Sequence, residues 1–354
     1  MSRERTKEIA FESVIEHHLL AHGYTSVPRD GFDRERSFFP DEVLRFIRET
    51  QSTEWEKLKA LHGERTGEQI LTDLCKWMDT HGCLATIRHG FKCYGRTLRV
   101  AFFKAAHDMN PELAEKYAAN RLGLTRQLYY KPDSTKSIDL VISLNGLPIV
   151  TIELKNPITG QTADYAKRQY QKDRDPRDPI FAFKRRTLVH FAADTDVVFM
   201  TTRLAGTATY FLPFNKGDNG GAGNPADPAG RSYRTAYLWE EALERDSLLD
   251  LLARFLHLQI EEKRAEDGTK VLRETMIFPR YHQLRAVRAL VDSARTNGVG
   301  TNYLIEHSAG SGKSNTIAWL AHRLSSLHND QNERVFDSVI VVTDRVVLDQ
   351  QLQD

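Results

Sequence analysis

The sequence is poor in cysteine and has no long apolar run. Its three cysteines, Cys75, Cys83 and Cys93, are too few for a disulfide framework and include no C-x₂-C pair for zinc, which indicates a reducing compartment. No apolar stretch approaches the ~20 residues that span a membrane, and the charged, amphipathic N-terminus is unlike a signal peptide. We therefore expect a cytoplasmic protein that has no membrane partner.

An excess of charge of either sign is also absent. The 49 Lys and Arg residues stand against 48 Asp and Glu residues, which leaves a net charge of +1. The chain as a whole therefore creates no basic field for nucleic acid, although local basic patches can still bind DNA. A length of 354 residues predicts roughly two domains.

The first landmark is residues 137–155, in which two extended apolar runs flank Asn145-Gly146. This pattern predicts a β-hairpin. A two-residue turn would mix apolar and polar residues on one face, whereas a three-residue loop, which pairs Leu144 with Pro148, separates them. We predict the three-residue loop, because a slip of one residue exchanges the two faces of a strand.

This register places Asp139, Glu153 and Lys155 on one face of the hairpin, with the two carboxylates opposite each other. Opposed carboxylates repel unless a cation lies between them. Hard oxygen ligands of this kind suit Mg²⁺, and a nearby ammonium group polarises an attacking water and offsets phosphate charge. The triplet predicts a metal-dependent phosphodiesterase site. The alternative, from the triplet alone, is a solvated strand face with an ordinary salt bridge.

Asp139 followed by Glu153-x-Lys155 after a hairpin resembles the PD-(D/E)xK nuclease superfamily, and residues 152–157 resemble the nuclease motif of type I restriction enzyme R subunits. The resemblance implies that Asp139 and Glu153 are metal ligands and that Lys155 is the catalytic lysine. Ile138 replaces the Pro that usually precedes the first acid, at a position that varies in this superfamily.

Two further roles follow from the same resemblance. These nucleases often carry an acid on an early helix, which implies a catalytic role for Glu12; the alternative is a solvated acidic stripe. R subunits also share a Gln/Tyr motif, associated with DNA contact and cleavage, on the helix after the hairpin. The sequence offers Gln161-x-x-x-Tyr165 and Gln169-Tyr170, and we favour Gln169 with Tyr170 over a merely exposed, amide-rich helix.

Basic residues accompany this helix. They form a first group, Lys167, Arg168, Lys172 and Arg174, and a second cluster, Lys184-Arg185-Arg186. Together these residues are suited to follow a DNA backbone. Singly, each is an ordinary solvated charge.

The second landmark is YLIEHSAGSGKS, residues 303–314. An apolar strand at 303–305 is predicted to lead through a small-residue loop into a helix over 315–328, so that backbone N–H groups and the helix N-terminus face phosphate oxygens. In this P-loop pattern Lys313 reaches the β- and γ-phosphates and Ser314 binds Mg²⁺. His307 replaces the first Gly of the full pattern. We predict ATP binding by Gly310, Ser311, Gly312, Lys313 and Ser314.

The flanks of the loop are similar to superfamily 2 helicases. Gln283 resembles the Q motif, which reads adenine through its amide, and the apolar strand 338–343 with Asp344-Arg345 resembles motif Ia, which implies DNA contact by Arg345. Strand, P-loop helix and strand in this order predict the start of a RecA-like domain. The acidic motif and the second lobe of such a motor are absent, so we expect a truncated motor.

We expect an α/β protein: a PD-(D/E)xK restriction-endonuclease-like mixed sheet flanked by helices, then a truncated RecA-like parallel α/β lobe. An apolar helix over 247–262 closes the nuclease-like domain. The predicted divisions are 1–262 for that domain, 263–278 for a linker and 279–354 for the start of the motor.

The resemblance implies the N-terminal part of a type I restriction-modification R subunit. That family cleaves double-stranded DNA with Mg²⁺ while it translocates DNA with ATP, in a complex with methyltransferase and specificity subunits. Two alternatives stay open. One is a superfamily 2 DNA-dependent ATPase whose nuclease-like domain only binds DNA, and the other is a metal-dependent nuclease with no motor.

Overall fold

The computed structural model describes residues 3–105, 110–157, 160–218, 221–264, 270–308 and 310–342. Their contacts divide the chain into two units: Met1–Phe103 with Glu115–Phe278, and Lys104–Ala114 with Pro279–Asp354. None of the described helices combines the length and the apolar character needed to cross a membrane.

The strands, in chain order, are β1 (Tyr24–Ser26), β2 (Phe91–Cys93), β3 (Arg96–Leu98), β4 (Leu122–Tyr129), β5 (Ser137–Leu144), β6 (Leu147–Leu154), β7 (Val189–Ala193), β8 (Val198–Thr201), β9 (Leu212–Pro213), β10 (His257–Arg264) and β11 (Lys270–Ile277). The helices are α1 (Arg3–Ala21), α2 (Pro40–Thr50), α3 (Ser52–His62), α4 (Thr66–His81), α5 (Cys83–His89), α6 (Pro111–Ala118), α7 (Ala163–Lys172), α8 (Arg245–Asp250), α9 (Tyr281–Asn297) and α10 (Lys313–Ser325).

A seven-stranded mixed sheet forms the centre of the first unit, in the order β1-β4-β5-β6-β7-β8-β9. β1 is parallel to β4 and β6 is parallel to β7, while the other neighbouring pairs are antiparallel. Every residue of β6 is buried, as expected for a continuous apolar run in the middle of a covered sheet. Both α1 and α7 pack against β6. The structure confirms the predicted restriction-endonuclease-like mixed sheet flanked by helices.

The β5–β6 hairpin differs from the predicted one at its turn. Asn145 and Gly146 form a two-residue turn with φ of 49° and 89°, and Leu144 pairs with Leu147. The predicted three-residue loop is therefore wrong. A register shift follows, which leaves Ile149 without a paired residue on β5. This β-bulge restores the predicted pairs beyond it, Leu140 with Ile152, Val141 with Thr151 and Ile142 with Val150.

The turn is two residues long because its surroundings bury it. The Asn145 side chain donates to the Val100 carbonyl at 2.9 Å and accepts from the Arg121 N–H at 2.7 Å. A Cβ on Gly146 would lie 2.6 Å from the Phe39 carbonyl oxygen. Only a glycine in the left-handed region fits this close approach. Sequence periodicity carries no information about such tertiary contacts, which is why it favoured the longer loop.

The segment predicted as a long apolar helix, 247–262, is shorter in the structure. Helix α8 passes into a π-helical turn, Leu251–Phe255, and the chain then becomes β10, which pairs antiparallel with β11. The predicted linker, 263–278, thus contains the end of β10 and all of β11 and lies within the first unit. The apolar run that precedes β10 continues to Phe255 and beyond without a helix-stop residue, so the sequence did not mark the end of the helix.

In the second unit α9 and α10 pack against each other. The predicted strands are not formed: residues 303–305 and the described part of 338–343 have no strand structure, and Leu304 is 94% exposed. A strand needs a neighbour for its backbone hydrogen bonds, and no described strand of this unit supplies one. Asp344 and Arg345 lie outside the described residues.

Candidate nuclease site and nucleotide-binding loop

The predicted carboxylates lie side by side at the end of the β5–β6 hairpin. Asp139 is on β5 and Glu153 is on β6, one position beyond the Leu140–Ile152 pair on each strand. The Oδ2 atom of Asp139 accepts the Leu154 N–H at 2.8 Å, which fixes its carboxylate beside β6. Lys155 follows directly and is half-buried, and its Nζ donates to the Leu154 carbonyl at 2.9 Å. The bulge thus brings these three residues together as predicted.

Glu153 is completely buried and has one satisfied and one unsatisfied oxygen. Its Oε1 accepts from Nε of Arg174 at 2.7 Å and lies 2.6 Å from Nη2 of the same residue. Its Oε2 is buried and has no hydrogen-bond partner. Burial raises the pKa of Glu153 to about 8, with a smaller contribution from the Asp139 charge, while Arg174 acts in the opposite direction.

Glu12 lies next to this pair but is tied to protein groups. Its Oε1 accepts from Nε of Arg126 at 2.7 Å. Its Oε2 accepts from the amide nitrogen of Gln127, 3.2 Å away, and the same nitrogen donates to Oδ1 of Asp139 at 3.2 Å. Burial raises the pKa of Glu12 above its ordinary value, although Arg126 lowers it. The predicted third acid is therefore linked to Asp139 through one amide group.

Gln127 is a site residue that the sequence analysis missed. It lies on β4 between the Arg126–Leu140 and Leu128–Ile138 pairs, opposite Asp139. Its φ of 48° is in the left-handed region, which is uncommon for a residue other than glycine. Once β4 was placed antiparallel to β5, the numbering alone would have put Gln127 opposite Asp139; nothing in the sequence marks its backbone conformation.

The donor set fits a small divalent cation. Asp139 and the orphaned Oε2 of Glu153 are hard oxygen donors, and a buried acceptor without a partner is costly unless a cation or donor reaches it. Among the residues that the structure describes, no three His, Cys, Asp or Glu side chains converge as a ligand cluster. Two protein carboxylates are sufficient for Mg²⁺, which keeps several waters of its own.

The predicted Gln/Tyr pair of α7 does not face solvent as a unit. Gln169 is half-buried, whereas Tyr170 is fully buried. Its hydroxyl lies 2.8 Å from Oγ1 of Thr151, which lies 2.7 Å from Nδ1 of His190. Burial lowers the pKa of His190 to about 3. Tyr170 thus fastens α7 to β6, two residues before Glu153.

The basic residues separate into solvent-facing and structural groups. Lys167 pairs with Asp164 at 2.6 Å, Arg168 stacks on the Tyr165 ring, and exposed Lys172 borders an open cleft of about 600 Å³. Three predicted DNA-facing residues are instead committed to protein contacts: Arg174 to Glu153, Lys184 to Glu274 and Arg186 to Asp79. The expectations for Arg174 and Arg186 are wrong, because both side chains are buried and a buried charge requires a partner of opposite charge. Lys184 is partly exposed, and its contact with DNA stays a prediction.

The P-loop precedes α10 in the second unit. Gly310 and Gly312 have φ of 70° and 84°, and Lys313, the first residue of α10, donates to the carbonyls of His307 and Ser308 at 2.9 and 3.0 Å. Ser314 is half-buried, and the buried Oγ of Ser311 has no hydrogen-bond partner. Positive φ at both glycines gives the loop the backbone freedom that a phosphate cradle needs.

Gln283 contacts the P-loop backbone. Its amide nitrogen donates to the Gly312 carbonyl at 2.8 Å, and its amide oxygen accepts the Arg280 N–H at 2.8 Å. A Cβ on Gly312 would lie 2.5 Å from this amide nitrogen. Both ends of the predicted adenine-reading amide are thus engaged with backbone, and the contact joins α9 to the loop.

A restriction-endonuclease-like sheet that ends in two acids and a lysine, followed by a helicase-like unit with a P-loop, defines a class of nuclease-related proteins that carry an ATPase unit. A family model described as type I restriction enzyme R protein N terminus matches residues 6–209, more than half of the chain, and the chain belongs to this family. A second model, SWI2/SNF2 ATPase, matches residues 282–354.

A curated relative is similar over more than half of the chain. The type I restriction enzyme HindI endonuclease subunit of Haemophilus influenzae is 26% identical over 223 residues, which are 60% of this chain and 19% of the relative. The chain thus spans about a fifth of the length of the curated relative that it matches.

Proposed function

We propose that the chain is the N-terminal part of the restriction subunit of an ATP-dependent type I restriction endonuclease. It cleaves double-stranded DNA with Mg²⁺, and cleavage is coupled to ATP-driven translocation. The observation that carries this proposal is the orphaned, buried Oε2 of Glu153 beside Asp139, on the face that also holds Lys155. Membership of the R protein family supports it.

Asp139 and Glu153 would hold the Mg²⁺, which supplies charge stabilisation at a scissile phosphate. Lys155 supplies a second positive charge from the end of β6, positioned to orient a water or to neutralise the phosphate. Glu12 acts through Gln127, which sets the position of the Asp139 carboxylate. Tyr170 would support the site by holding α7 to β6 through its hydrogen bond with Thr151. Gln169, which is half-buried on α7, would contact DNA.

For the second unit we propose ATP binding by Gly310, Ser311, Gly312, Lys313 and Ser314. The Lys313 ammonium would exchange its loop carbonyls for the β- and γ-phosphates, and Ser314 would contact the Mg²⁺ that accompanies ATP. The Gln283 amide donates to the Gly312 carbonyl and thereby holds the P-loop. We propose that this amide recognises adenine when it exchanges the Gly312 carbonyl for the base.

The proposed partners are double-stranded DNA and the methyltransferase and specificity subunits of a restriction complex. Lys167, Arg168, Lys172 and Arg345 are the proposed DNA contacts. Family membership supports these partners. We also propose a cytoplasmic location, which agrees with three cysteines that form no disulfide.

One observation favours a second candidate, a DNA-dependent ATPase whose nuclease-like domain only binds DNA. The Glu153 carboxylate already has a buried counter-charge, because Nε and Nη2 of Arg174 both contact its Oε1 atom, so an ion pair can occupy this position without a metal. The first candidate requires that Asp139 and Glu153 support Mg²⁺-dependent DNA cleavage. In the second candidate these two acids have no part in cleavage.

The test uses the complete R protein, reconstituted with its modification and specificity subunits. Asp139→Ala and Glu153→Ala should each reduce DNA cleavage by about a thousandfold or more, as expected for loss of a metal ligand, and leave ATP hydrolysis intact. Lys313→Ala is the matched control for the other site: it should abolish ATP hydrolysis and, with it, translocation-dependent cleavage. Wild-type cleavage in either carboxylate variant would reject the nuclease assignment and favour the second candidate.

A further inference from the structure

Arg174 is held on several sides inside the nuclease site. It follows α7 and is 3% exposed, although arginine is seldom buried. Two of its nitrogens, Nε and Nη2, converge on the single atom Oε1 of Glu153, at 2.7 and 2.6 Å. Nη2 also donates to the Ser137 carbonyl at 2.6 Å, and the guanidinium lies 5.5 Å from the centre of the Tyr130 ring. These contacts fix the guanidinium against β5.

This arrangement divides the carboxylate of Glu153 into two unlike oxygens. Oε1 accepts from two nitrogens of one guanidinium, whereas Oε2 has no hydrogen-bond partner. The usual side-on pairing of arginine with a carboxylate would occupy both oxygens. Here a cation can reach Glu153 through Oε2 alone, because two-oxygen coordination would require Oε1 to leave Arg174.

The number of oxygens that a carboxylate offers affects which metal it prefers. Ca²⁺ takes six to eight oxygen ligands and accepts carboxylates in two-oxygen coordination, whereas Mg²⁺ requires near-ideal octahedral geometry with one oxygen from each ligand group. We propose that Arg174 is a positioning residue that restricts Glu153 to one-oxygen coordination, and that the nuclease site thereby selects a small octahedral cation over Ca²⁺. The inference rests on the proposed metal role of Asp139 and Glu153.

The charge of Arg174 would not by itself produce this selection. Removal of a positive charge changes the binding of any divalent cation in the same direction, because Mn²⁺ and Ca²⁺ carry the same charge. The ratio of their dissociation constants therefore cancels the effect of charge and reports the coordination geometry. Mn²⁺ serves as the octahedral probe because it shares the oxygen ligands of Mg²⁺.

The experiment is calorimetric titration of residues 1–354 with Mn²⁺ alone and with Ca²⁺ alone. The wild-type chain should bind Mn²⁺ at least about tenfold more tightly than Ca²⁺. In Arg174→Met this preference should fall by about tenfold, the lower end of what loss of a supporting residue does to metal affinity. Arg174→Lys, which keeps the charge but has a single nitrogen, should show a smaller fall.

Two further variants separate the possible failures. Arg177→Met removes an exposed arginine from the same loop, where it pairs with Asp175, and should keep the wild-type ratio. Asp139→Ala should weaken both metals. If the wild-type chain binds neither metal, or Asp139→Ala binds both normally, the proposed metal site itself is wrong. If the site binds metal but the ratio is unchanged in Arg174→Met, or both metals tighten equally, the inference about Arg174 is wrong.

Folding is checked by thermal unfolding of each variant, because a buried glutamate would lose its partner in Arg174→Met. Should that variant not fold, the wild-type chain and Arg174→Lys decide the question. Equal affinity of the wild-type chain for Mn²⁺ and Ca²⁺, or a wild-type ratio in folded Arg174→Lys, would overturn the inference.

Discussion

At the scale of single residues, the candidate nuclease site combines groups that a local motif reveals with groups that only the fold brings together. Asp139, Glu153 and Lys155 are recognisable from their spacing on a hairpin. Gln127 and Arg174 are not, because one depends on a left-handed residue within β4 and the other on where the chain turns after α7. The charge of Arg174 is visible in the sequence, but its burial is a tertiary property.

In the absence of metal, the Gln127 amide should reduce the repulsion between Glu12 and Asp139, because it donates to both carboxylates. Gln127→Glu replaces the donor between Glu12 and Asp139 with a third carboxylate. We expect a loss of about 1–3 kcal/mol in the free energy of unfolding, measured by urea denaturation, because a half-buried donor is lost and like charges are added. Added Mn²⁺ should recover much of this loss.

Gln69→Glu is the matched control. It makes the same chemical change beside an acid, Asp73, on α4, away from the site. We expect a small loss there that does not respond to Mn²⁺. Equal responses of the two variants to Mn²⁺ would count against a role for Gln127 at the acids.

At the scale of elements, tertiary contacts override local preference in the β5–β6 hairpin. Gly146→Ala would add a Cβ 2.6 Å from the Phe39 carbonyl oxygen at a φ of 89°. We expect it to lower the free energy of unfolding by about 2–4 kcal/mol, from backbone strain and a clash that the packed core cannot relieve. Urea denaturation measures this directly.

The β2–β3 hairpin supplies the control for that prediction. Gly95 has a φ of 74°, and nothing lies within 4 Å of an added Cβ. Gly95→Ala should therefore report backbone strain alone, about 1–2 kcal/mol. If the two alanine variants were equally destabilised, the close approach of Gly146 to Phe39 would make no contribution to the free energy of unfolding.

At the scale of the whole molecule, the stability of the first unit should depend on pH through His190. Burial lowers the pKa of His190 from an ordinary 6.5 to about 3. The folded state thus keeps the ring neutral while the unfolded chain takes up a proton below 6.5. This contribution to stability is complete above about 6.5 and is lost as pH falls toward 3, by about 1.4 kcal/mol per unit.

The measurement is urea denaturation between pH 7 and 4 of the wild type and of His190→Asn. Glu153, whose pKa is raised to about 8, contributes with the opposite sign, and its stabilisation fades as pH rises from 4.5 to 8. The difference in the free energy of unfolding between wild type and His190→Asn reports the contribution of His190, and this difference should shrink as pH falls. Parallel profiles for wild type and His190→Asn would show that His190 is not kept neutral.

The sequence predicted the architecture where periodicity and local motifs are strong, as in the central strands and the P-loop helix. It failed where partners decide the outcome. The stretch after Phe255 forms a hairpin because β10 and β11 pair with each other, and residues 303–305 form no strand among the described neighbours. At the candidate nuclease site the sequence indicated that two acids and a lysine come together. It did not indicate individual hydrogen bonds, such as that of Gln283 with the Gly312 carbonyl at the P-loop.

The unpaired residue Ile149 limits how the distance in sequence between the two acids can vary. Because successive side chains of a strand alternate between faces, deletion of one residue between Asp139 and Glu153 would send one acid to the opposite face. The hairpin tolerates such a change only where a bulge is created or removed at the same time. Chains built on this hairpin should therefore change the length of this segment in steps of two, or pair each single-residue change with the gain or loss of a bulge.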